Sequence, residues 1–160
     1  MASPRVIDCG ESANASVALK GTPCAQEAFN YFDKAIQLQP SYADAYSNRG
    51  NLFSQSGKSA EAIQDYSKAI ALKDHADAYF NRGNEFSKVG DLNSAVADYT
   101  QSLSLNPKAD TYTNRAFTYL KQNKVPLAKK DLKLALALNP KFDRAIFLQG
   151  LIEQNLGNQQ

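Results

Sequence analysis

The apolar positions of this chain recur at helical spacing, in short stripes separated by polar turns. Tyr46, Gly50 and Phe53 fall at i, i+4 and i+7, which places them on one face of a helix. Gly57 ends that pattern, because glycine takes the left-handed backbone of a helix end at little cost. A second stripe follows, with Ala62, Ile63, Tyr66, Ala69 and Ile70, and closes at Leu72. The pair of patterns returns as Tyr79, Gly83, Phe86 and Gly90, then Ala95, Val96, Tyr99 and Leu103. It returns again as Tyr112, Ala116 and Tyr119, then Ala128, Leu132, Ala135 and Leu136. The spacing predicts an all-α chain of antiparallel helix pairs.

The pairs are copies of one another. Ala43-Asp44-Ala45-Tyr46-Ser47-Asn48-Arg49-Gly50 recurs at Ala76–Gly83 and at Ala109–Ala116, and more faintly from Asp143 to Gly150, at spacings of 33, 33 and 34 residues. The small residues Gly50, Gly83 and Ala116 are expected to face Ala62, Ala95 and Ala128, so that two helix backbones approach closely while aromatics fill the space beside them. Pro40, Pro107 and Pro140 stand just past the second helices, where proline stops a helix, and Pro126 opens the last of them, where its missing N–H costs nothing.

Aromatic, Gly or Ala, aromatic, then Ala-x3-Tyr-x2-Ala-x4-Pro on a period of about 34 residues resembles the tetratricopeptide repeat. The resemblance implies a right-handed superhelical solenoid of antiparallel helix pairs. It divides the chain into a degenerate N-terminal segment or weak first helix (1–22), the second helix of a degenerate first repeat (23–42), three repeats (43–75, 76–108 and 109–142), and a terminal half-repeat or capping helix (143–160). In the first repeat Ala28, Phe32, Ala35 and Pro40 match a second helix, while its partner near Glu11 to Lys20 matches poorly. Asp74 replaces an expected proline, and the repeats starting at Ala43 and Ala76 are one residue short.

A charge pair repeats with the helices. Arg49 and Asp65, Arg82 and Asp98, and Arg115 and Asp131 are each sixteen residues apart, placed symmetrically about a hairpin turn. The expectation is a structural Arg–Asp bridge inside each repeat.

The resemblance places a partner on the inner, concave side lined by the first helix of each pair. The candidate groove residues are Asn48, Asn51, Phe80, Asn81, Asn84, Lys88, Asn114, Phe117, Lys121, Arg144, Phe147 and Leu151. Ser47, Thr113 and Leu148 are expected on the same face. The asparagines form a ladder, Asn48, Asn81 and Asn114, with Asn51 and Asn84 one turn along. An amide both donates and accepts, so it grips an extended peptide backbone without reading its side chains. The groove turns apolar toward Phe117, Leu120, Phe147 and Leu151. Some members of the family bind acidic chaperone tails with a two-carboxylate clamp. In the better of two registers Asn84, Asn114 and Arg144 match that clamp, while Phe80 and Leu148 replace two of its cations.

Composition changes this picture little. The net charge of +2 points to no nucleic-acid partner, although Lys121 to Arg144 holds seven Lys or Arg against two Asp. No run reaches the roughly 20 apolar residues of a membrane span, and Met1 to Gly10 lack the apolar core of a signal peptide. Neither nucleic acid nor a membrane is therefore expected as a partner. A cytoplasmic location is expected, or a secreted, periplasmic or lumenal one if Cys9 and Cys24 are oxidised. Asn14-Ala15-Ser16 fits a glycosylation acceptor, a triplet common by chance. His75 lies alone between repeats, and no metal, phosphate-loop or triad motif is present, so no cofactor and no enzymatic activity are expected. The last helix carries Ile146, Phe147, Leu148, Leu151, Ile152 and Leu156 around more than one face, which adds self-association through the C-terminal helix to the expectations. The function expected is a scaffold or adaptor that binds a protein or peptide segment. The alternative is a docking or regulatory fragment of a larger enzyme or assembly.

Overall fold

The computed structural model describes residues 23–157, and side chains from 25 to 154. Eight helices and no strand lie among these residues. They fall into two compact bodies, one ending at Lys73 and the other starting at Asp74. The first holds α1 (Pro23–Leu38), α2 (Ala43–Gln55) and α3 (Ser59–Leu72). There α2 and α3 form a hairpin and α1 packs on α2. The second holds α4 (Ala76–Val89), α5 (Leu92–Leu105), α6 (Ala109–Lys121), α7 (Val125–Leu138) and α8 (Asp143–Gly157). Here α4 pairs with α5 and α6 with α7. The first helices α4, α6 and α8 neighbour one another in one layer, with α5 and α7 behind them. Cys9, on which any pairing with Cys24 depends, and the acceptor triplet at Asn14 lie outside the described residues.

The hairpin turns share one construction. Gly57 (φ +76) and Gly90 (φ +87) take the left-handed conformation, and Asn123 (φ +57) takes it in the third hairpin. The residue after each donates its N–H five residues back, Lys58 to Phe53 O, Asp91 to Phe86 O and Lys124 to Tyr119 O, at 2.8–2.9 Å. That bond satisfies a carbonyl the helix end would otherwise orphan. Asp91 then caps α5, accepting from the Ser94 N–H at 3.1 Å. The hydroxyl and amide of Ser94 hold the Asp91 carboxyl below its ordinary value. Pro126 sits in the first turn of α7, where no N–H is required. His75 also caps: its Nδ1 accepts from the Ala78 N–H at 3.4 Å, at the start of α4.

Packing inside the hairpins turns on the small residues. A Cβ on Gly50 would stand 2.8 Å from the Tyr66 ring, and one on Gly83 would stand 2.9 Å from the Tyr99 ring and 3.3 Å from the Ala95 carbonyl. Each glycine thus admits a tyrosine that is itself 1% exposed. A buried phenol needs a partner. Tyr66 donates to Asn51 Oδ1 and Tyr99 to Asn84 Oδ1, both at 2.8 Å. In the third hairpin all three residues change together. Ala116 stands at the glycine, Leu132 at the tyrosine and Phe117 at the asparagine, and they join an apolar cluster with Ala128, Ala135, Ala145, Leu148 and Ile152.

The three Arg–Asp bridges are present. Arg49, Arg82 and Arg115 each hold Asp65, Asp98 or Asp131 by two parallel bonds of 2.7–2.8 Å. Each guanidinium also lies over two rings: Tyr46 and Phe53, Tyr79 and Phe86, or Tyr112 and Tyr119, at 5.7–6.0 Å. The aspartate side chains are only 3–7% exposed. These are interior pairs, and the bond to Asp65 raises the Arg49 guanidinium above its ordinary range despite burial. Arg49 further holds Asp33 of α1 at 2.7 Å, and Arg115 holds Thr100 of α5 at 2.9 Å, so the same arginine ties a hairpin to the helix before it.

Candidate binding surface

In the second body the first-helix layer of α4, α6 and α8 carries most of the candidate residues. Its centre is a chain of hydrogen bonds. Tyr99 donates to Asn84 Oδ1 at 2.8 Å, and Asn114 Nδ2 donates to the same oxygen at 2.8 Å. Arg144 then donates to Asn114 Oδ1 at 2.6 Å. Burial pushes the Tyr99 phenol far above its ordinary value, so this donor keeps its proton. Both bonds to Asn84 fall on its oxygen, so neither uses the donors of its NH2 group. The ladder foreseen along equal positions is therefore diagonal: Asn84 meets Asn114 of the next helix, and Arg144 closes the row.

Around this row stand an aromatic and several cations. Phe117 lies under Lys121 at 4.9 Å and Arg144 at 5.9 Å. Phe80 is half-buried and packs on Tyr99 with ring centres 6.1 Å apart. Asn81 is half-buried, and Lys88 is exposed and ion-paired to Glu85. Phe147 is 64% exposed and Leu151 38%. In the first body Asn48 is exposed, while Asn51 is half-buried under the Tyr66 hydroxyl.

Three residues expected on this face are buried instead. Thr113 is fully buried and turns its hydroxyl back to the Ala109 carbonyl at 2.7 Å. Leu148 belongs to the core of α6, α7 and α8. Ser47 is 6% exposed. One residue was not anticipated. Glu85 is 1% exposed, at the position held by Leu52 in α2, Thr118 in α6 and Ile152 in α8. Its departure from that column was the available signal.

A tetratricopeptide repeat family model matches residues 43–75 and 76–108, and a second one matches 109–142. The chain belongs to the tetratricopeptide repeat family. Repeats of this family are in general non-catalytic modules for protein interaction. Among solved structures, the crystal structure of MamA superposes with a TM-score of 0.79 at 21% identity, covering 83% of this chain and 79% of MamA. The first tetratricopeptide domain of Spaghetti (RPAP3), bound to the HSP90 peptide SRMEEVD, superposes at 0.69 with 26% identity, covering 72% of this chain and 93% of that one. The Arabidopsis OM64 domain superposes at 0.68 with 22% identity, over 71% and 95%. These likenesses share the all-α helical-repeat fold. No curated protein matches the chain. No described helix is long and apolar enough to cross a membrane.

Proposed function

We propose that the chain is a scaffold or adaptor and that the face formed by α4, α6 and α8 binds an extended peptide segment of a partner protein. The observation that carries this reading is the bonded row Asn84–Asn114–Arg144. It fixes the orientation of two amides and a guanidinium before any ligand arrives, so their remaining N–H groups meet backbone carbonyls without a further ordering cost. Phe80, Phe117, Phe147 and Leu151 supply apolar contact beside the row, and Lys121 favours an acidic segment. The peptide-bound Spaghetti domain supports a peptide as the kind of partner. Catalysis plays no part in this reading.

A second reading is favoured by the same three residues, which match three positions of the family's carboxylate clamp. A peptide's terminal carboxylate would then sit at the row. Phe80 and the buried Leu148 stand where that clamp places cations, which puts an internal acidic segment first.

Peptide display against the whole chain tests this. Binders enriched on the native protein should weaken at least tenfold on an Asn84→Ala/Asn114→Ala/Arg144→Ala variant, about 1.4 kcal/mol. Amidating the peptide terminus should matter little. Unchanged binding to the variant would refute the site, and a tenfold loss on amidation alone would favour the carboxylate reading.

A further inference from the structure

The two ends of the described chain are halves of one hairpin. Among the described residues, α8 is a first helix with no second helix beside it, and α1 is a second helix with no first helix beside it. In α2 and α4 the glycine at the centre of the first helix receives the ring of Tyr66 or Tyr99. Gly150 holds the same place in α8, and among the described residues nothing lies within 4 Å of where its Cβ would be. The socket is formed and empty. Beside it runs a cleft of about 400 Å³ between α7 and α8, floored by Leu132, Leu136 and Ile152 and rimmed by Lys129, Lys133 and Glu153.

Helix α1 carries the matching knob. Ala28, Phe32 and Ala35 align with Ala62, Tyr66 and Ala69 of α3, which are 0–1% exposed, yet among the described residues they are only half-buried. Tyr31 beside them is 71% exposed.

The charges agree as well. Every complete hairpin pairs an arginine on its first helix with an aspartate on its second. In α8 the arginine's place is taken by Gln149, and in α1 the aspartate's place is taken by Tyr31. Both halves of the ion pair are missing together, so joining these helices strands no buried charge. Glu27 of α1 aligns with Glu61, which shares one cleft with Asp33 and Arg49 in the first body. In the corresponding arrangement Lys133 stands where Asp33 does, opposite Glu27.

We infer that α8 of one copy takes up α1 of a second copy, completing a tetratricopeptide hairpin between chains with Phe32 over Gly150. The contact is heterologous: each pair of copies leaves one α8 and one α1 free, so association is head-to-tail and depends on concentration. Gly150→Glu puts a charged side chain into the socket, and Tyr31→Lys sets a cation against Lys133. Both positions are exposed, so circular dichroism should show both variants folded.

Light scattering of the whole chain should show a mass rising with concentration to at least twice that of one chain. Each variant alone should stay monomeric. Mixed in equal amounts, the two should form a one-to-one dimer, because each brings the intact half the other lacks. A native chain that stays monomeric at every concentration overturns the inference. So does association abolished by Gly150→Glu and untouched by Tyr31→Lys, which would mean that α8 pairs with itself or with another surface. Failure here leaves peptide binding at Asn84–Asn114–Arg144 unaffected, since neither substitution touches that row.

Discussion

At the scale of single residues, the repeated arginine and the repeated glycine hold the hairpins together, and both belong to the interior. Asp98 is buried and accepts two bonds from Arg82. Asp98→Ala should therefore take two charge-assisted bonds from a largely buried guanidinium and cost about 3–5 kcal/mol, the loss typical of breaking a buried pair. Chemical denaturation measures this, and a loss below about 1 kcal/mol would show the bridge to behave as a surface pair. The glycines give a paired test. Gly83→Ala drives a methyl to within 2.9 Å of the Tyr99 ring and should cost about 1–3 kcal/mol by overpacking. Gly150→Ala meets open space and should raise helix stability, by up to about 1 kcal/mol. The sixteen-residue spacing made the Arg–Asp bridges legible in the sequence. Their depth was not, because spacing along a hairpin carries no information about what covers it. Glu85 was missed for a related reason: a charged residue inside a polar stretch reads as solvated until its column is compared across repeats.

At the scale of elements, apolar stripes and glycine stops located the helices, since one-faced periodicity and a left-handed end are both written in residue type. The third turn was less visible. Asn123 does there what Gly57 and Gly90 do elsewhere, and asparagine is common in settings that ask nothing of its backbone. Asn123→Gly should raise stability by up to about 1 kcal/mol. Asn123→Val should lower it by about 1–2 kcal/mol, the cost of a branched side chain in left-handed backbone. Thermal melting compares the two, and equal midpoints would remove the turn's claimed role. The joint change of Gly–Tyr–Asn to Ala116–Leu132–Phe117 shows why the third hairpin presents an apolar surface: with no buried phenol to satisfy, its first helix needs no asparagine at that position.

At the scale of the whole molecule, the helices of each body contact mainly their neighbours in sequence, and stability within each body is distributed as in a linear array. Within the second body α8 packs on α6 and α7 from one side only among the described residues, so its amides should exchange with solvent faster than those of α5 and α7, which exchange spectroscopy resolves by segment. Equal protection throughout would contradict this. The proposed binding face was legible in part. Every residue of the row stood among the candidates, but its diagonal path depends on how each first helix is rotated against the next, which no single repeat encodes. The central claim is that Asn84, Asn114 and Arg144 form a pre-set donor row for a partner's backbone. Side-chain amide resonances of Asn84 and Asn114 test it directly during titration with a selected peptide. Both should shift in step with binding, while amides on the outer faces of α5 and α7 stay in place. Saturable binding that moves only the outer helices and leaves both asparagines unshifted would contradict the account.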